Sequence, residues 1–231
     1  RVVGTTNQLV RDLTVHPISV QYSGQFRGQD SESGFSIGFS QNLPGGNDGT
    51  GSDWCAVPPG MLQARSSNGE FCANANYQIW RWGINHSQAL GSDWQLRYAM
   101  NGQFTRDMLI SGEQFGIGGA DSVRGFTERE IADDNGYRGV LELYGPDWGG
   151  KTGIEGARAR GLLFVDWGGV RRNRPSIGEF HQQRVGSYGF GLRFSRGTSV
   201  SFRADYATVW DKGGSQGSGD GRLHFSASYV F

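Results

Sequence analysis

The sequence has no excess of either charge, few prolines, few histidines, two cysteines and no long apolar run, and each shortage removes a class of protein. Lys and Arg total 22 against 22 for Asp and Glu, so the basic face that a nucleic-acid binder presents is missing and no nucleic-acid partner is expected. No stretch approaches the roughly 18 to 20 apolar residues of a spanning helix. A mean hydropathy of −0.50 agrees, although a membrane β-barrel also averages low because its strands alternate two kinds of face. Proline at 6 residues against glycine at 39 argues neither collagen nor a disordered low-complexity tract. His16, His86, His181 and His224 are scattered and read as ordinary polar positions. With no His, Ser or carboxylate cluster at catalytic spacing, neither enzyme chemistry nor a cofactor or metal is expected. Arg1 opens the sequence without an initiator Met or apolar h-region, so a signal peptide is expected to lie outside it.

What is present is period-2 alternation in about nine segments, the mark of strands with two unlike faces. Leu223, Phe225, Ala227, Tyr229 and Phe231 oppose His224, Ser226 and Ser228. Tyr188, Phe190, Leu192 and Phe194 oppose Gly189, Gly191, Arg193 and Ser195, and Phe202, Ala204 and Tyr206 oppose Ser201, Arg203 and Asp205. Trp94 to Phe104, Trp80 to Ile84, Phe35 to Phe39 and Ile18 to Phe26 repeat the pattern. Alternation alone fits a soluble sandwich, a soluble barrel or a membrane barrel. Connection lengths separate them: those near residues 28–33, 90–93, 147–155 and 196–198 are short, and those near 44–73, 106–136 and 171–183 are long. Short turns alternating with long loops predict an all-β, transmembrane, antiparallel up-and-down β-barrel with the long loops outside. Trp94, Trp167, Trp210, Tyr229 and Phe231 near strand ends suit the headgroup level, where aromatic rings settle.

Cys55 and Cys72 both fall in a long Gly- and Asn-rich loop. A loop disulfide is the expected reading, contributing roughly 3 kcal/mol by restricting the unfolded chain in an oxidising compartment. Gly145, Gly150, Lys151 and Thr152 satisfy the phosphate-loop pattern. The mechanism of that motif needs a helix directly after the Lys and Thr. Gly153, Gly156 and Gly161, with strand-like alternation through Arg158 and Arg160, leave no room for one, so a turn between strands is expected.

The segment from Met108 to Asn135 is too rich in glycine for a strand and too particular for filler. It carries Gly118 and Gly119, then Val123, Arg124, Gly125 and Phe126. This Val-Arg-Gly-Phe tip after paired glycines resembles the sixth-loop motif of the outer-membrane assembly and two-partner secretion superfamily. Phe164, Asp166 and Gly168 resemble the superfamily's F-x-D-x-G strand motif. By parity Asp166 shares a face with Arg158 and Arg160, which places its carboxylate inward. Within the superfamily the chain is most similar to the hemolysin activation and secretion transporters of two-partner systems, through residues 112–128, 142–146, 163–168 and 221–231.

The resemblance implies a barrel of about 16 strands, of which this chain, residues 1–231, is the C-terminal part with the last nine or so strands. The POTRA domains and the first strands are expected elsewhere in the protein. It implies a lumen-inserted loop over about 106–136 whose tip Arg124 pairs with Asp166 on the wall, with Tyr229 and Phe231 as the C-terminal barrel signature. It also implies a monomeric pore in the bacterial outer membrane, in contact with lipid and lipopolysaccharide, that secretes and activates a large exoprotein such as a hemolysin or adhesin. An outer-membrane assembly insertase and a passive diffusion porin are the alternative readings. Lumen-facing Arg81, Arg97, Arg158, Arg160, Arg193 and Arg203 are expected to give the inner wall a positive bias.

Overall fold

The computed structural model describes residues 13–55, 72–175 and 178–230, apart from the Cys55 side chain. Residue Phe231 therefore lies outside the described residues. Nine strands form one antiparallel sheet in which every strand pairs with its neighbour in the chain order of the wall. They are β1 (Pro17–Arg27), β2 (Ser31–Asn42), β3 (Gln78–Ala89), β4 (Gln95–Phe104), β7 (Asn135–Tyr144), β8 (Ala157–Arg171), β9 (Gln182–Arg196), β10 (Val200–Asp211) and β11 (Gly221–Tyr229). Between β4 and β7 a separate two-stranded hairpin, β5 (Phe115–Ile117) with β6 (Ile131–Asp133), projects from the long loop. This hairpin corrects the reading of the segment as wholly non-strand. Three residues a side amid glycines leave no alternation to detect.

The strand faces are as unlike as the alternation requires. In β8, Leu163 and Val165 are 62% and 41% exposed, whereas Phe164 and Asp166, which alternate with them, are 3% and 0% exposed. On the outer face Phe39 meets Trp80 with ring centroids 4.9 Å apart, Phe190 meets Tyr206 at 5.7 Å and Tyr98 meets Trp167 at 6.2 Å. Such a surface suits lipid, where exposed apolar side chains carry no penalty. Exposed Trp80, Phe104 and Trp210 stand at the long-loop ends of their strands, and exposed Trp94, Trp148 and Tyr229 at the opposite ends, giving two aromatic belts.

Three connections on one side are short, β1–β2, β3–β4 and β9–β10, but the β7–β8 connection there, residues 145–156, is longer than β8–β9 (172–181) and β10–β11 (212–220) on the opposite side, which corrects the expected alternation of short turns and long loops at that point. At the β7–β8 turn the phosphate-loop text resolves into a four-residue 3-10 helix, Gly149–Thr152, between antiparallel strands. Asp147 Oδ1 accepts the amides of Gly149 and Ala159 at 2.8 Å each, and these bonds hold its carboxyl below the usual range.

Candidate functional site: the lumen loop and its wall

The long loop leaves β4, returns to β7, and lays the β5–β6 hairpin against the inner face of the sheet. Gly118 and Gly119 open the tip with φ of +115° and +105°, and the Gly118 amide donates to Ser122 Oγ at 3.1 Å. A side chain at 118 would run into the Thr127 carbonyl and one at 119 into Glu128. Beyond this bend, Val123 and Phe126 are buried with Ile117 and Ile131 of the hairpin against Val170 of β8, Val185 of β9 and Val209 of β10. Burying such side chains contributes about 1.5 to 3 kcal/mol each, so the tip is docked by apolar contact as well as charge. Gly125 has φ +96°, and a Cβ added there would stand at contact distance from Ala207, Val209 and Ser187. Gly168 lies under Ile117, where an added Cβ would stand 2.9 Å from the Ile117 Cδ1 and 2.9 Å from the Tyr137 carbonyl oxygen.

Between these apolar anchors, Arg124, 2% exposed, makes a fork-to-fork pair with Asp166. Nε donates to Oδ2 at 2.7 Å and Nη2 to Oδ1 at 2.7 Å, while the Arg124 backbone amide donates to Oδ2 at 3.0 Å. Two parallel bonds fix direction as well as distance. Nη1 donates to Glu142 Oε1 at 3.0 Å and stands 3.6 Å from Asp205 Oδ1. The Phe164 ring lies beneath the guanidinium, 3.4 Å from its Cζ to the ring centroid. Burial works against the Arg124 charge, but Asp166, Glu142 and Asp205 outweigh it and raise its pKa. Because a buried pair roughly breaks even against apolar residues of the same shape, the adhesion of the tip comes largely from Val123 and Phe126. The ion pair sets where the tip stops.

A second tier of charges surrounds the first. Asp205, fully buried, accepts Arg193 Nη1 at 2.8 Å and Nη2 at 3.1 Å, and Arg203 Nε at 2.7 Å. Arg203 also donates to Asp121 at 2.6 Å and to the Ala120 carbonyl of the loop. Arg97 donates to Tyr144 at 3.2 Å and faces Glu142 at 3.7 Å, Arg81 meets Glu113 at 3.0 Å, and Arg160 meets Asp93 at 2.5 Å. Of the six arginines expected to bias the wall toward positive charge, five face carboxylates, with Arg193 and Arg203 sharing Asp205. At the tip, the Gly125 amide donates to His224 Nε2 of β11 at 3.1 Å.

At the long-loop rim, Asp134 accepts the amides of Leu109 and Asn173 at 2.9 Å each, and Arg172 donates to Asp133 at 2.6 Å. Glu130 accepts the Thr127 amide at 2.7 Å and the Ser215 amide at 2.7 Å, tying the lumen loop to the β10–β11 connection. Cys72 is disulfide-bonded; its expected partner Cys55, the other cysteine of the sequence, has its side chain outside the described residues. Nearby Trp54, Ala75, Tyr77, Ile79 and Leu109 form an apolar cluster under that loop. Tyr229 is exposed on the outer face, 70% accessible.

The structure thus brings together Gly118, Gly119, Val123, Arg124, Gly125 and Phe126 from the loop and Phe164, Asp166 and Gly168 from the wall. Glu142, Asp205 and His224 carried no role in the sequence reading. Their signal was parity: each sits on the polar side of an alternating segment, with an outward apolar residue next to it.

A model of the haemolysin secretion/activation protein family ShlB/FhaC/HecB matches residues 51–194, a span running from the loop after β2 almost to the end of β9. No curated protein matches the sequence. Among solved structures, CdiB from Escherichia coli is similar with a TM-score of 0.72 at 15% identity, covering 94% of this chain and 37% of that one. CdiB from Acinetobacter baumannii gives a TM-score of 0.48 at 18% identity, covering 92% and 41%. BamA from Haemophilus ducreyi lacking POTRA domains 1-3 gives 0.50 at 14%, covering 94% and 55%. The chain therefore spans 37% to 55% of the length of these structures.

Proposed function

Because the chain belongs to the haemolysin secretion/activation protein family ShlB/FhaC/HecB, we propose that it supplies the loop-bearing wall of an outer-membrane pore that secretes and activates a large exoprotein. The family places the chain in an outer-membrane β-barrel engaged in protein secretion. In this reading the nine strands are the C-terminal part of a barrel of about 16 strands, with POTRA domains and earlier strands contributed by the rest of the protein. The whole protein accepts an unfolded partner of the hemolysin or adhesin type from the periplasm and passes it outward.

The observation that carries the proposal is the buried pair between Arg124 on the loop and Asp166 on the wall. A passive diffusion pore has no need of a loop fixed in direction at mid-wall, whereas a polypeptide channel needs an element that closes the lumen at rest and returns to one position. Removing one member of such a pair costs about 3 to 5 kcal/mol, because the remaining charge is left buried and uncompensated. Because the intact pair itself adds little net adhesion over apolar residues of the same shape, the tip can be displaced when a passenger offers competing apolar contacts. No covalent step and no nucleotide enters this scheme.

The experiment is deletion of residues 112–128 in the full-length protein, with heat-modifiable migration as a check that the barrel folds. The expected result is loss of exoprotein secretion while other outer-membrane proteins keep their normal levels. Undiminished secretion would sink the proposal, and a general fall in outer-membrane proteins would favour an assembly insertase.

A further inference from the structure

The loop tip presents two consecutive backbone amides to the wall, and they meet different acceptors. The Arg124 amide is taken by Asp166 of β8, and the Gly125 amide by His224 Nε2 of β11, 99 residues away. Gly125 is buried, with Ser187, Ala207 and Val209 on the side where a Cβ would stand, so its amide lies away from water. A buried amide without an acceptor is costly. An imidazole nitrogen accepts only when it carries no proton, so the ring at 224 is neutral and holds its hydrogen on Nδ1.

Accordingly we infer that His224 is a positioning residue for the lumen loop: its neutral ring ties the tip to β11, and protonation of that ring unties it. The inference rests on the reading of the loop as a displaceable plug. Its physical basis is competition, since a proton on Nε2 would point at the Gly125 N–H and replace an acceptor with a second donor. Proton uptake and tip docking thus exclude each other, and the docked state is favoured above the titration of His224 and lost below it. The charges facing the ring are balanced in sign. Arg222 lies on its own strand, Asp205 and Arg203 come from β10, with Asp205 directly opposite in register, and Glu128 comes from the loop.

The placement of His224 gives the contact a consequence beyond the loop. β11 stands at one end of the described sheet and pairs only with β10 among the described residues. Through Glu142, Asp166, Asp205 and His224 the tip reaches side chains on β7, β8, β10 and β11. A docked tip therefore holds β11 to the wall from inside, in addition to its ladder with β10. Loop position and this inner hold on β11 become linked, and the proton bears on both at His224.

The test uses the full-length protein in lipid bilayers with [15N]histidine, the His224 signal being assigned by its loss in His224→Gln. The expected wild-type spectrum shows Nε2 unprotonated and accepting, and Arg124→Ala, which frees the tip, abolishes that signature. Protease access to residues 112–128 should rise about tenfold on mild acidification of the wild type, the scale of one buried amide left unpaired. In His224→Gln, whose amide oxygen accepts without titrating, access should stay low throughout. A proton on Nε2 in the wild type, a His224 signal indifferent to Arg124→Ala, or acid-induced access unchanged in His224→Gln would each overturn the inference. Failure of the plug reading is separate: it appears as Asp166→Asn leaving the loop as protected as before, whatever His224 does.

Discussion

The Arg124 guanidinium lies over the Phe164 ring, 3.4 Å from Cζ to the ring centroid, while two of its nitrogens are taken by Asp166. Wall residues two apart on one strand thus hold the same cation, one with its ring and the other with its carboxylate. A desolvated cation–π contact contributes about 2 kcal/mol. Phe164→Leu keeps an apolar filler and removes the ring's charge distribution, so it should weaken loop docking by about that amount. The measurement is the rate of limited proteolysis within 112–128 on the folded barrel, which reports the open population when closing is fast. An unchanged rate would mean that the ring serves only as packing.

The Arg124–Asp166 pair invites a double-mutant cycle. Arg124→Gln and Asp166→Asn should each raise loop opening by an amount equivalent to about 3 to 5 kcal/mol, since each strands a buried charge. The double variant strands neither of the two, and its cost should fall well short of the sum. Glu142, which accepts Nη1 at 3.0 Å, keeps the recovery from being complete. Strict additivity would show that the two side chains do not act on each other.

Much of this arrangement was legible in the sequence because the lipid and the lumen force period 2 on every strand. Leu163 and Val165 outward with Phe164 and Asp166 inward follow from parity alone, and the loop tip was marked by its motif. The β5–β6 hairpin was not legible, since three residues such as Phe115 to Ile117 are too few to display a period. Nor was the second tier. Which inward charge meets which depends on strand stagger and on how far the loop descends, so Asp205 and His224 stood out only once β10 and β11 were seen beside the tip. Nor was the pairing of the wall arginines legible, because several of their carboxylate partners lie on another strand, in a turn or in the lumen loop, as Arg160 with Asp93 of the β3–β4 turn.

Gly168 supplies a test of how closely the hairpin must approach the wall. A Cβ there would stand 2.9 Å from the Tyr137 carbonyl oxygen, which is backbone and cannot yield, and 2.9 Å from Ile117 Cδ1. Overpacking of this kind costs roughly 1 to 3 kcal/mol, and the mobile partner is the loop. Gly168→Ala should therefore raise protease access to 112–128 while the barrel still shows heat-modifiable migration. Gly161→Ala on the same strand is the control, because the nearest atom to its added Cβ is 4.0 Å away. Equal behaviour of the two variants would refute the close-approach argument.

At the rim, the tie between the lumen loop and the β10–β11 connection depends on the charge of Glu130. Burial alone would raise the Glu130 carboxyl, but hydrogen bonds from Ser215 and Thr127 outweigh it and hold the group at about 2. A carboxyl depressed in the folded protein stabilises the contact above its ordinary value, near 4.3, and that contribution fades as pH falls through about 2. Between those limits the rim should loosen progressively, because a protonated Glu130 no longer offers two full acceptor oxygens to Ser215 and Thr127. The expected outcome is that hydrogen exchange at the Ser215 and Thr127 amides, corrected for intrinsic rates, speeds up across this acid window in the wild type. In Glu130→Gln the same amides should exchange faster at neutral pH and show no further change in that window. A wild-type profile as flat as the variant's would mean that the two loops are held together by something other than this carboxylate.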